Sequence, residues 1–261
     1  MIIQTLEMTL KTPRGEWLPP SVGSILQGII MQNMDSGLAD ELHKQGLRPY
    51  SQHIFYRNGE PIWRINALDG VAAEGIIEPL CAAAMDSIYL QAKNMRVEIT
   101  KKDILRDMKY QELANKFLLL DNAPRNVVVQ LITPTTFRSA GNYMIYPTVE
   151  HILQSAYNRW NEFAVGIPLR DPDILRHMAE HTRIKGYKLK MTQFSLEGIQ
   201  IPAFKGELEL RISGPDALVG LELMVLAFAE VSGIGIKTAI GMGGCRTFYK
   251  TKEKELVGLL D

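Results

Sequence analysis

The sequence predicts an α+β fold built from two successive βαββαβ units and closed by a glycine-rich loop. Three observations carry that expectation. Strand-like and helix-like periods follow one another in the same order twice within 261 residues. In each round two strand-like runs are joined by a turn signal, Asn58-Gly59 in the first and Glu197-Gly198 in the second. The stretch SGIGIKTAIGMGGCRTF (232–248) then sets five glycines between the last helix and the last strand.

Taken in order, residues 2–11 alternate as a strand, and Pro19-Pro20 lead into a helix whose Val22, Ile25, Leu26, Ile29 and Ile30 share one face. SGLADELHK reads as a short helix capped by Ser36 and stopped at Gly46. YSQHIFY and PIWRI flank Arg57-Asn58-Gly59-Glu60 as a hairpin, a helix follows near 72–85, and strand material near 87–105 completes the first unit. VVVQLIT (127–133) restarts the pattern. A helix near 148–164 puts Ile152, Ala156, Trp160 and Phe163 on one face, and strands follow near 183–196 and 201–213. Pro215 opens an apolar helix over 216–231, and a strand at 244–250 ends the second unit. The expected architecture is two ferredoxin-like domains in tandem, 1–122 and 123–261.

Composition excludes several classes. Basic and acidic residues number 29 each, so nucleic-acid binding has to arise from local asymmetry. RIKGYKLK (183–190) holds four cations and no anion, whereas 69–86 holds four anions and no cation. A solvated strand face explains the basic run as readily as an RNA-contacting surface does. Cys81 and Cys245 lack the further ligands of a zinc site and read as free thiols. The opening residues alternate like a strand rather than a signal peptide, and the apolar run 217–231 is too short to span a bilayer. The expectation is a cytoplasmic protein.

The glycine loop fits neither of the common phosphate-binding patterns. Thr238 stands where a dinucleotide motif needs its third glycine, and Lys237-Thr238 precede Gly241 where a P-loop has its lysine after the last glycine. The loop also follows a helix C-terminus, the negative end of the helix dipole. What remains is a nest of amide groups lying along a polyanion with Lys237 adding charge, or a purely structural entry into the strand.

The spacing GxGxxxxxGxG at Gly233, Gly235, Gly241 and Gly243, the tandem units, and the segments LITPTTFRSAGNYMIYP and LHKQGLRPYS together resemble the CRISPR-associated precursor-RNA processing endoribonucleases, the Cas-six family of the repeat-associated (RAMP) superfamily. The resemblance runs over nearly the whole chain, although the loop by itself marks only the superfamily. It implies cleavage of CRISPR repeat RNA without metal or cofactor, the 2′-hydroxyl attacking the adjacent phosphate to leave a 2′,3′-cyclic phosphate and a 5′-hydroxyl. It also implies CRISPR effector subunits as further partners, and it leaves a homodimer open.

Such a reaction needs a base, an acid and cations at the phosphate. His43 in ELHKQG matches the family's catalytic histidine, and a helix C-terminus favours its imidazolium by roughly 0.3–1 kcal/mol. Arg48 matches a second catalytic cation, with Lys44 as the alternative. Where the family's triad type has a tyrosine this chain has Met31, so either Tyr50 or Tyr56 supplies a hydroxyl or histidine and cations act alone. RNA contacts are expected from Gly233, Gly235, Lys237, Gly241, Gly243, Arg138, Lys185, Lys188 and Lys190, with Tyr143, Tyr146 and Tyr187 stacking on unpaired bases. His53 and His151 read as structural. His177 and His181 have zinc-like spacing without a third ligand, so no metal is expected. Two other classes fit the same residues: a non-catalytic RNA-binding subunit, favoured by Met31, and a small-molecule enzyme on the same scaffold.

Overall fold

The computed structural model describes residues 2–34, 46–82, 85–251, 253 and 255–260. In β1 (Ile2–Lys11), Leu6, Met8 and Leu10 point into one core while Thr5 and Glu7 point to the opposite face, and all five are buried. Both faces of this strand are therefore covered. On the apolar face lies α1 (Gly23–Asn33), entered through a 3₁₀ turn at Pro20–Val22 and burying Leu26 and Ile30. The short helix expected after Ser36, including His43 and Lys44, lies outside the described residues.

Strands β2 (Tyr50–Arg57) and β3 (Glu60–Ala67) close with Arg57 opposite Glu60. Asn58 and Gly59 turn with φ of 52° and 86°, the double positive φ of a type I′ hairpin. The following helix, α2, consists of Gly70–Ala72, a π-helical Ala73–Ile77 and Glu78–Ala82. The wide turn comes immediately before Pro79, which has no N–H to give a preceding carbonyl. The strand material expected near 87–105 forms a hairpin, β4 (Ser87–Leu90) and β5 (Met95–Lys109), turning at Asn94 with φ 46°. The first sheet has the order β2-β3-β1-β5-β4, the ferredoxin-like order with β4 added at the edge.

Helix α3 (Tyr110–Leu118) was not expected from the sequence. Its Tyr110, Leu113, Ala114 and Phe117 recur at helical spacing and pack into the core of the second half. The second sheet, β12-β11-β6-β10-β9, uses β6 (Asn126–Thr135), β9 (Thr182–Leu196), β10 (Ile199–Ile212), β11 (Cys245–Lys250) and β12 (Leu256–Gly258). A small hairpin, β7 (Phe137–Ser139) with β8 (Asn142–Met144), precedes α4 (Val149–Phe163) and α5 (Pro172–His181). Helix α6 (Asp216–Ser232) is buried almost throughout from Val219 onward, which is why its apolar pattern runs all round rather than along one stripe. Gly220 lets α3 come close, since a Cβ there would sit 2.5 Å from the carbonyl oxygen of Phe117. The chain thus adopts the tandem ferredoxin-like arrangement read from the sequence.

A polar seam joins the two halves. Ser51 Oγ donates to the Val231 carbonyl (2.6 Å), and Gln52 Nε2 donates to the carbonyls of Gly23 (2.6 Å) and Ala239 (3.1 Å). Trp63 Nε1 donates in turn to Gln52 Oε1 (3.0 Å), so the buried amide is satisfied at both ends. Satisfied buried polar groups of this kind specify one docking geometry, because any slip leaves donors without partners.

Candidate nucleic-acid interface

The glycine loop lies at this seam, and its glycines are used for close approach. A Cβ on Gly241 would lie 3.1 Å from Gly23 Cα, and one on Gly244 would lie 2.6 Å from the His53 ring. At Gly235 and Gly243 a Cβ would collide with the carbonyls of Thr136 and Ile234. The amides are committed as well: Gly233 donates to Ala229, Ile234 to Gly243, Gly243 to Pro134, Gly235 to Ser155 Oγ (2.7 Å) and Gly244 to Thr133 Oγ1 (2.9 Å). This corrects the expectation of an open amide nest at Gly233, Gly235 and Gly243, whose N–H groups are spent inside the chain; Gly241, like them, is buried. Lys237 is the exposed tip. Its φ of 59° is a left-handed conformation that costs a lysine more than a glycine, and strain of this kind persists where the surroundings impose it.

Beside the loop is a cavity of about 200 Å³ whose lining includes Leu47, Arg138, His151, Ser155, Arg159 and Gly235. It brings together two residues expected from the sequence, Arg138 and Gly235, with a neighbour of Arg48. The other three come from α4, where positions 151, 155 and 159 recur at helical spacing and form a polar stripe. Reading α4 only for its apolar face missed them, and the stripe was the available signal. His151 Nδ1 is 2.8 Å from Thr148 Oγ1 and its ring packs on Phe137 at 5.3 Å, so the expectation of a purely structural histidine leaves out its place on this wall.

Arg159 is the unusual member. It is 5% exposed, and its one hydrogen bond among the described residues runs from Nη2 to the Gly235 carbonyl at 3.3 Å. Among the described residues no carboxylate pairs with it, and burial alone lowers its pKa to about 10. The guanidinium is therefore still charged near neutral pH. A buried cation without a counter-ion is costly to a fold, and an incoming anion removes that cost.

The other expected residues are scattered. Arg48 is partly buried near Tyr50, on which its charge acts. Tyr50 is 1% exposed; burial raises its pKa against the opposing pull of a Gln27 hydrogen bond. With no surface to present to a substrate, Tyr50 is set aside as a proton donor. Tyr56 spends its hydroxyl as acceptor for the Leu18 amide (2.7 Å), and Met31 packs against the first core. Lys185, Lys188 and Lys190 are exposed on β9, with Lys188 opposite Glu207, Lys190 opposite Lys205, and Lys185 at the bulge. His181 Nδ1 lies 2.8 Å from its own helix carbonyl at His177.

Comparison with known proteins decides the family. The model described as CRISPR-associated endoribonuclease Cas6 matches residues 129–245. A Streptococcus thermophilus protein of that name is 30% identical over 223 residues, covering 84% of this chain and 88% of its own. The chain belongs to the Cas6 family. A solved structure described as a Cas6 product complex superposes with a TM-score of 0.77 at 21% identity, covering 95% of this chain and 99% of the other. An RAMP protein described as binding different RNA substrates superposes at 0.61 with 14% identity, over 97% and 99%. At these identities both are likenesses of fold alone. Among the described residues of this Cas6-family chain no helix is long and apolar enough to cross a membrane.

Proposed function

We propose that this protein cleaves CRISPR repeat RNA within the precursor transcript by attack of the 2′-hydroxyl on the neighbouring phosphate, without a metal, leaving a 2′,3′-cyclic phosphate and a 5′-hydroxyl. Arg159 carries the reading: a buried guanidinium with no carboxylate partner among the described residues, on the wall of a cavity shared with Leu47, suits a phosphate in the same neighbourhood as Arg48. In this scheme His43 protonates the departing 5′-oxygen, and Arg48, with Lys44 beside the histidine, balances charge growing on the phosphoryl oxygens. Arg138, Lys237, Lys185, Lys188 and Lys190 hold the RNA backbone from the second half, 123–261, while His43, Lys44 and Arg48 belong to the first, 1–122. Gly233, Gly235, Gly241 and Gly243 act indirectly, by setting the path that presents Lys237 and the Gly235 carbonyl that Arg159 grips.

Met31 and the burial of Tyr50 favour a second reading, an RNA-binding subunit that does not cut. One assay separates the two. Repeat RNA is incubated with the protein in excess chelator, then with a 2′-deoxy nucleotide at the cut site, then with His43→Ala. Cleavage in chelator that disappears with either change supports the mechanism. Cleavage surviving both changes overturns it, and tight binding with no cleavage selects the non-cutting subunit.

A further inference from the structure

Attack by a 2′-hydroxyl needs a group that takes its proton. Tyrosine does not supply one here: Tyr50 is buried, and the Tyr56 hydroxyl is spent on the Leu18 amide. The described lining of the Arg159 cavity narrows the choice. It holds apolar side chains, the amides of Gln154 and Asn158, the guanidiniums of Arg138 and Arg159, and no carboxylate. An amide is not a base in water and a guanidinium is already protonated. The Ser155 hydroxyl is occupied by the Gly235 N–H at 2.7 Å. His151, on the same wall, is the one described lining residue whose side chain takes up and gives back a proton near neutral pH. The other described histidines lie elsewhere, His53 buried against Gly244 and His177 with His181 on α5.

The surroundings of His151 suit a ring that changes its protonation without losing its place. It is the third residue of α4, just after the N-cap Thr148. Thr148 Oγ1 accepts the His151 backbone N–H (3.3 Å) and lies 2.8 Å from the ring's Nδ1. A hydroxyl has one proton and two lone pairs, so with one lone pair on the backbone N–H it can still donate to a bare Nδ1 or accept from a protonated one. The ring keeps this anchor in either state, and Nε2 is left for the cavity. Phe137 packs on the ring at 5.3 Å and 33°, which restricts its swing. Arg159 reaches back along α4 to the Gly235 carbonyl, and the Gly235 amide rests on Ser155, one turn from His151. Guanidinium and imidazole thus flank the same space, so a phosphate drawn to the first brings its ribose to the second.

Resting on the proposed cleavage of repeat RNA, we infer that His151 is the catalytic base of that reaction. Its Nε2 takes the 2′-hydroxyl proton, the 2′-oxygen bonds to phosphorus as the bond from phosphorus to the 5′-oxygen breaks, and the 5′-oxygen leaves with the proton of His43. The test compares native protein, His43→Ala and His151→Gln in single-turnover cleavage of two repeat RNAs. One is natural, and the other carries sulfur in place of the leaving 5′-oxygen, because a thiolate departs without a proton. His151→Gln should cut both RNAs about 10²- to 10⁴-fold more slowly than native protein, whereas His43→Ala should be slow on the natural RNA and close to native on the sulfur one. By anisotropy, His151→Gln should bind repeat RNA made uncleavable by a 2′-deoxy nucleotide as tightly as native protein does, which separates proton transfer from RNA contact or misfolding. If His151→Gln cuts at the native rate, recovers on the sulfur RNA, or loses affinity in step with its rate, the assignment falls, and cleavage by native protein in chelator leaves the proposed function standing. If native protein binds repeat RNA without cutting it, both fall together.

Discussion

Replacing Arg159 with methionine should make the free protein more stable and its grip on RNA weaker, two effects of opposite sign from one side chain. Burial holds the guanidinium at a pKa of about 10, well under its ordinary range, which corresponds to about 3 kcal/mol against the charged form. A base with a lowered folded-state pKa carries that cost in full at every pH below the folded value, so it is present near neutrality. Against it, among the described residues, stands one long hydrogen bond to the Gly235 carbonyl, at most about 1 kcal/mol. The net gain on replacement is about 1–3 kcal/mol, or roughly 2–10 °C in Tm for a chain of this size. Differential scanning fluorimetry measures the first effect. Titration with uncleavable repeat RNA at several salt concentrations measures the second, and losing one phosphate contact should flatten the slope of log K against log salt by about 0.7. Arg159→Lys keeps the charge without the planar fork and should fall between. A variant that melts several degrees lower while binding RNA with unchanged affinity and salt slope would refute the reasoning, because Arg159 would then be a structural strut.

Two further predictions follow from the loop and the core. Gly243→Ala, at φ 70° and with a Cβ driven into the Ile234 carbonyl, should cost more than about 2 kcal/mol by chemical denaturation, whereas Gly28→Ala in α1, where nothing lies within 4 Å, should gain about 0.5–1 kcal/mol. Glu222 is buried against Thr182 with its pKa raised to about 8, mainly by burial, so its folded form stays protonated while the unfolded carboxyl ionises. Stability should therefore fall between about pH 4.3 and pH 8, by up to about 1.4 kcal/mol per pH unit, and denaturation curves of Glu222→Gln across that window should be flatter.

The sequence by itself determined what depends on neighbours a few positions away. The Asn58-Gly59 turn, the periods of α1, α4 and α6, and the order of strands and helices were all legible, because helical spacing and turn chemistry act within one or two turns of chain. The resemblance to the family was legible for the same reason, being written in contiguous motifs. Helix α3 escaped the reading because its apolar face serves a core assembled mostly from residues later in the chain.

Only the tertiary structure decided what each glycine faces. Five glycines suggested bare amides for a ligand, yet Gly235, Gly243 and Gly244 spend theirs on Ser155, Pro134 and Thr133, and Gly241 packs against Gly23, all far off in sequence. The same holds for Arg159 and Trp17. An arginine inside an amphipathic helix and a tryptophan in a loop look ordinary until folding removes water from the first, with no carboxylate beside it among the described residues, and leaves the second in solvent. Burial and counter-charge are properties of packing between distant segments, and that is where the chemistry of this molecule is set.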